Sequence, residues 1–534
     1  MKNLIRIGRL QTWFWILALG FIGCAPKPQN SAMSYSEFIR LESALGVPTE
    51  ATQECGTACQ GLRREFRFVV YVGKQIYCYW EEKKAETGIR FDELAENLEY
   101  RISNETSPTE YYRILMQWAA AFHDGHVNAM HKDDRSDLEI YTSLVRLEVF
   151  GAGTDHEKVY VVESKSENLA AVGDEVLAVN EVSTGEALKN LDQFVSGSTA
   201  RMRHYNGVKR LVDAVGIAQA VPLNLKLRGS NGVVRNVSLQ RNVEMSPTLS
   251  KGLAANAPPA TGMENFKAQV LPGEIGYLRI DAFTGEQSYA LLEQAMHRLA
   301  RTKGLLIDLR KNGGGDPSGD QILSRLTSKN IIRYRVSERI SDFLIAARPE
   351  YFGLPIQPGA LFADWHNREV SPSPAPDTYV GKPVVALISP RCFSACDTFT
   401  AALQANGLAT VVGEPTGGGT GTPHVFDLPI SGHKFRYSVV SGRTALWAPI
   451  EGRGTTPDIW IEPTIRERIS GQDLQLEAAL RVLNDKIGGS NGQLSSQRLA
   501  LENLGAAPYF QGFGMSPTLV DEIEVRNISS FDEI

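Results

Sequence analysis

The chain has 534 residues, 43% of them apolar and 22% charged, and a net charge of −6. This is the composition of a globular chain rather than a disordered one, and the length exceeds one ordinary core, so several domains are expected. Basic residues form no block beyond the N-terminus, which argues against nucleic acid as the main partner.

Lys2, Arg6 and Arg9 precede an apolar run from Trp13 to Ile22. The run is far shorter than the ~20 residues of a membrane span, so residues 1–23 read as an export signal. It closes on Phe21-Ile22-Gly23-Cys24, and a polar stretch with two prolines follows. This resembles a bacterial lipobox, with Phe21 where leucine is usual. The resemblance implies that Cys24 becomes a lipidated first residue and that residues 24–33 tether the chain to the bacterial cell envelope, facing periplasm or exterior. A plain cleaved signal with Cys24 incidental is the alternative. Loss of residues 1–23 removes three cations and no carboxylate, taking the net charge from −6 to −9.

Export permits disulfides. With Cys24 lipidated, Cys55, Cys59, Cys78, Cys392 and Cys396 cannot all pair, and one bridge is expected among the first three. No Cys/His cluster with zinc-ligand spacing accompanies them, so no metal is expected. Cys392 and Cys396 read as small buried residues packing a tight turn rather than as a redox pair.

Residues 34–142 read as helical. Ser34 to Leu45 and Phe91 to Ile102 carry apolar residues at helical spacing. Ser107-Pro-Thr-Glu110 is a capping box with proline at the first helical position, predicting a helix from Pro108 to about Phe122 with Ile114, Leu115, Trp118 and Phe122 on one face. His123-Asp-Gly-His126 follows. Gly125 suits the left-handed residue that ends a helix, which would hold His126 on a short turn. A histidine at a helix end acts more often on the helix dipole than in catalysis.

Residues 143–241 change to short strands: Val159–Glu163, Gly173–Asn180 and Leu223–Leu227. The GDEVLAVN segment with an amphipathic stretch through Leu188 and Leu191 resembles the centre of a PDZ domain, without the usual carboxylate-binding loop. Residues 242–272, with Pro247, Pro258 and Pro259, read as a linker. Strands at Ile275–Ile280 and Leu305–Arg310, separated by a helix from about Gly285 to Thr302, then open an α/β region. The second strand runs into Asn312-Gly-Gly-Gly-Asp316. A further apolar strand, Val384–Ile388, is followed by a turn presenting Ser394 and by an amphipathic run from Ala395 to Ala405. A hydroxyl between strand and helix is where an enzyme would place a nucleophile, because the helix N-terminus offers free N–H groups and positive potential to an oxyanion. Residues 488–534 begin with a glycine-rich linker and carry no assignable function.

The order LLIDLRKNGGG, SPRCFSACD, GEPTGGG and EGRGTTPD, behind a PDZ-like module, resembles the tail-specific (C-terminal-processing) protease and tricorn-core family of serine peptidases. The resemblance covers residues 273–485. It implies a multidomain α/β protein: a helical N-terminal region, a PDZ-like β-rich domain, and an α/β catalytic domain of the ClpP/crotonase-like class over residues 273–487. It further implies Ser394 as nucleophile and an oxyanion hole from main-chain N–H groups of Gly313, Gly314 and Ala395. Tail-specific members take their base from a lysine just after Gly-Glu-Pro-Thr, with a glutamine four residues beyond. Here those positions are Gly419 and Pro423, so no Ser–Lys dyad can form. The tricorn-type branch uses a histidine from an N-terminal segment, oriented by a serine and a glutamate. His126 and Glu451 match the histidine and the glutamate, whereas Gly125 stands where the serine might assist. His424 is the competing base.

The expected activity is that of a membrane-tethered serine endopeptidase acting on exported proteins or peptides without a cofactor. A catalytically weak relative that binds peptides or apolar ligands is the alternative. Trp447 and Trp460 are expected in the core.

Overall fold

The computed structural model describes residues 55–131, 140–143, 145–165, 169–215, 222–241, 243–244, 266–347 and 360–488. Cys24, the signal, the Ser34–Leu45 helix and the tail from 489 lie outside them.

Four helices open the described chain: Thr57–Ile76, Trp80–Thr87, Phe91–Tyr100 and Pro108–Ala120. The last starts as its capping signal predicts, with the Ser107 hydroxyl accepting the Glu110 N–H and proline in the first turn. Cys55 and Cys59 form a disulfide, and Cys78 is a buried free thiol.

Residues 145–239 form an antiparallel sheet in the order 145–150, 158–164, 175–179, 223–228, 234–239, against which the helix Thr184–Leu191 packs. Alternation decides the facing of its strands: in Leu223–Arg228 every second residue is buried. This sheet is compatible with a PDZ-like module.

The third region is built on a six-stranded sheet in the order 266–271, 275–280, 304–308, 384–388, 410–413, 459–460. All neighbours pair in parallel except the first two. Phe266–Leu271, read as linker from its prolines upstream, is thus an edge strand. The two central strands, Gly304–Asp308 and Val384–Ile388, are buried throughout, as expected where helices cover both faces of a parallel sheet. Both run toward the same end, so the Asn312–Gly315 turn and the turn at Ser394 emerge side by side.

The N-terminal helices do not stand apart from this region. The strand Asn128–Met130 pairs antiparallel with Lys434–Ser438, which also pairs with Pro423–Asp427. One continuous apolar cluster runs from Phe66, Tyr77, Phe91, Trp118 and Phe122 to Phe426, Phe435 and Tyr437. Its centre is polar-tipped: Trp118 Nε1 donates to the Tyr437 hydroxyl at 2.6 Å, which donates to Val69 O at 3.1 Å. Buried aromatics whose polar ends find partners fix one relative placement of helices and sheet.

Candidate active site

Ser394 precedes the helix Ala395–Ala405 with φ of 60° and ψ of −118°. A serine at positive φ occupies a sparsely populated region and persists only when its surroundings impose it. Several contacts do so. A disulfide between Cys392 and Cys396, Cα atoms 5.2 Å apart, closes the turn around it; both residues are buried in the tight turn, as expected, and are bonded to each other as well. Phe393 N–H donates to Asn312 O at 3.1 Å. Ser394 N–H donates to Asp397 Oδ2 at 2.9 Å. Asp397, fully buried, also accepts the N–H groups of Gly418 at 3.0 Å and Gly419 at 2.9 Å, so one carboxylate ties the nucleophile turn to the glycine-rich loop.

His126 Nε2 lies 2.9 Å from Ser394 Oγ. The histidine arrives there from 268 residues upstream. Its turn differs from expectation: His123, not Gly125, takes the left-handed conformation, with φ of 46°. Glycine at 125 answers a different need, since a Cβ there would come within 2.5 Å of the Phe393 ring. Asp124 is buried beneath the turn. Its Oδ1 accepts the His126 main-chain N–H at 2.7 Å, and its Oδ2 accepts the hydroxyls of Ser438 at 2.7 Å and Tyr77 at 3.1 Å. The imidazole Nδ1 is buried without a hydrogen-bond partner, its distance to Asp124 Oδ1 being 4.0 Å.

Glu451 sits on the turn after Ile450. One nitrogen or carboxylate oxygen from each of Asp124, His126 and Glu451 lies within 4.8 Å of the others. Glu451 Oε2 accepts the Thr420 N–H at 3.1 Å, and Oε1 is 3.3 Å from Lys83 Nζ. Lys83 is 1% exposed and donates to His123 O at 2.9 Å. Burial alone would push its ammonium toward neutrality, but Glu451 and Asp124 outweigh that and hold its pKa above the ordinary value. Burial pushes the Asp124 carboxyl up, and pushes that of Glu451 up further with Asp124 beside it. Burial, aided by the Arg436 guanidinium, holds His126 down to about 3, so the imidazole is neutral at pH 7 and can accept a proton.

Sequence reasoning missed Ser198. Its hydroxyl accepts the Gly125 N–H at 3.0 Å, and it lies near enough to Glu451 to oppose the rise in that carboxyl's pKa. A serine between base turn and glutamate is thus present, contributed by the segment before the helix Ala200–Gly207 instead of by position 125. No local pattern in Ser-Gly-Ser-Thr marks it. Asp397 was legible in principle, since Ser394-x-x-Asp397 has the spacing of a capping box.

The glycine turn meets the nucleophile closely. Gly314 has φ of 97°, and a Cβ on it would come within 2.5 Å of Phe393 O and 3.0 Å of Ala395 N. Its N–H is directed to Asn312 Oδ1 at 2.8 Å, and that of Gly313 to Asp281 O at 3.3 Å, so neither points freely at an incoming oxygen. Ala395 opens the helix, where main-chain N–H groups lack intrahelical acceptors. His424 lies on the strand Pro423–Asp427 with its ring against Phe343, and it is His126 whose ring nitrogen meets Ser394. Trp447 and Trp460 are 51% and 37% exposed, not core. Asp308 and Arg310 pair at 2.7 Å beneath the sheet end, and Arg310 also holds Asp473.

Residues 274–461 match the family model Peptidase family S41. A carboxyl-terminal-processing protease of Synechocystis sp. is 26% identical over 243 residues, 44% of this chain and 49% of that protein. A carboxy-terminal-processing protease of Bartonella bacilliformis is 26% identical over 216 residues, 39% of this chain and 44% of that protein. The chain therefore spans about half the length of the curated relatives it matches. Among solved structures, mature CPAF is 16% identical with a TM-score of 0.65, covering 82% of this chain and 99% of that one, and shares the fold.

Proposed function

We propose, from the match of residues 274–461 to peptidase family S41, that the chain is a serine endopeptidase that uses a histidine base, tethered to the cell envelope through Cys24. The observation that carries the catalytic part is the 2.9 Å contact between His126 Nε2 and Ser394 Oγ in a chain with glycine at the lysine position, 419. Ser394 Oγ attacks the peptide carbonyl carbon while its proton passes to His126 Nε2. The oxyanion is received by the Ala395 N–H, joined by Gly314 N–H when it exchanges Asn312 Oδ1 for substrate. The imidazolium so formed gains the field of the neighbouring Asp124 and Glu451 carboxyls. His126 then returns the proton to the leaving amine, and water hydrolyses the acyl ester with the same residue as base. Substrates are exported polypeptides, and the tether rests on the lipobox-like residues 21–24 alone.

A fluorophosphonate probe tests this directly on the purified full chain. Labelling of wild type, and its loss by about 10⁴-fold or more in Ser394→Ala, is expected. Folded wild-type protein that takes up no label would overturn the peptidase reading. Loss of both palmitate incorporation and membrane association in Cys24→Ala checks the anchor separately.

A further inference from the structure

We propose that Phe393 is a positioning residue for the base: its ring fills the space from which a lysine would act and holds the His126 imidazole toward Ser394. This rests on the serine-peptidase reading above.

Phe393 lies on the bridged turn next to the nucleophile and is 3% exposed. Its ring centroid is 4.5 Å from that of His126, with the planes 32° apart. Three glycines surround it. A Cβ at Gly419 would fall 1.8 Å from Phe393 Cε2, one at Gly125 2.5 Å from Cζ, and one at Gly417 3.0 Å from Cδ2. The first two are overlaps that no side chain could make without moving the ring. Both departures from the family pattern, the absent lysine at 419 and the absent serine at 125, therefore have one physical cause.

The imidazole needs such support. In a Ser-His-Asp triad a carboxylate bonds to Nδ1 and fixes the ring. Here Asp124 Oδ1 accepts the main-chain N–H of His126 instead, and Nδ1 has no hydrogen-bond partner. The main chain is thus held by hydrogen bonds, while the ring plane is held by one contact to Ser394 and by packing on Phe393. The charged and titratable groups on the elements packed at the site are Asp124 and His123 on the histidine's own turn, Arg436 on the strand Lys434–Ser438 and Glu451 on the turn after Ile450, with Lys83 of the helix Trp80–Thr87 bonded to that turn at His123 and Asp397 of the nucleophile helix bonded to Ser394. Phe393 supplies an apolar, buried ring packed against the imidazole.

The test is the fluorophosphonate labelling rate against pH, with the His126 titration followed by NMR, in wild type and Phe393→Leu. Expected are a loss of about 10-fold at pH 7.5 and an upward move of both the acid limb and the His126 titration, as water reaches the ring. A role in packing alone would leave the titration in place. Gly419→Ala, which sets a methyl against the ring edge, is expected to cost a similar factor in wild type and much less in the Phe393→Leu background. A wild-type rate with an unmoved titration in Phe393→Leu, or equal costs of Gly419→Ala in both backgrounds, would overturn the proposal. Should Phe393→Leu fail to fold, Gly419→Ala alone decides, and a wild-type rate there overturns it. Unlabelled but folded wild type overturns the peptidase reading instead, and the His126 titration then judges the role of the ring.

Discussion

The two halves of the candidate catalytic pair are held by different means. Ser394 is fixed almost locally: the Cys392–Cys396 bridge, the Asp397 carboxylate and the Asn312 carbonyl all belong to chain between Asn312 and Gly419. His126 is fixed by elements scattered over the molecule, with Tyr77 and Lys83 from the N-terminal helices, Ser198 from the middle region, and Ser438 and Arg436 from the C-terminal strands. A local device survives changes elsewhere in the fold. A device assembled from distant segments exists only while their packing holds, so the base should be the more fragile half.

The largest effect that separates the halves is expected from His126→Ala, which leaves the Ser394 turn intact but removes the proton acceptor. Labelling should fall by at least about 10²-fold. An unchanged rate would move the base elsewhere and dissolve the comparison. The wild-type pH profile sharpens it. Burial lowers His126 from 6.5 to about 3, so the base is present everywhere above that lower value. An ordinary histidine of pKa ~6.5 would cost about 10-fold in rate between pH 7.5 and 5.5, and a smaller loss is expected here. The same shift has a sign for stability. The folded pKa is depressed, so the contribution of neutral His126 is complete above pH 6.5 and is lost as the pH falls toward about 3.

Ser198→Ala comes next in size. It removes the Ser198 hydroxyl that accepts the buried Gly125 N–H, and losing such a buried hydrogen bond costs roughly 1–3 kcal/mol. Both thermal stability and labelling rate should drop, the rate by about 10-fold, because the turn carrying His126 loosens. A loss of stability with the labelling rate intact would show that Ser198 supports the fold without orienting the base.

The same division decides what the sequence discloses. The nucleophile half is written in contiguous residues: a buried run from Val384 to Ile388, a small-residue turn, and an amphipathic helix, which are features that local periodicity and turn chemistry carry. The N-terminal helices were equally legible, their caps and faces lying within single segments. Ser198 and Lys83 were not, since their roles come from contacts 73 and 40 residues away and neither sits in a distinctive pattern. Glycine at 125 suits a helix end because glycine tolerates positive φ, yet tertiary packing on Phe393 is the demand that prevails there. The bridge between Cys392 and Cys396 is not legible in the sequence, because four-residue spacing looks the same in a bonded and an unbonded turn.

That bridge gives the smallest expected effect, and the reason is the redundancy of the nucleophile half. In the chain-entropy account, closing so short a loop contributes only ~2 kcal/mol. In Cys392→Ala/Cys396→Ala, Asp397 still receives the N–H groups of Ser394, Gly418 and Gly419, and Asn312 O still receives that of Phe393. The double variant should therefore melt a few degrees lower and label less than about 10-fold more slowly. Both cysteines are fully buried, so mild reductant should leave wild-type labelling unchanged while the protein stays folded. A loss comparable with that of His126→Ala would mean that the covalent closure itself holds Ser394 at positive φ, and that the nucleophile depends on a single device as much as the base depends on many.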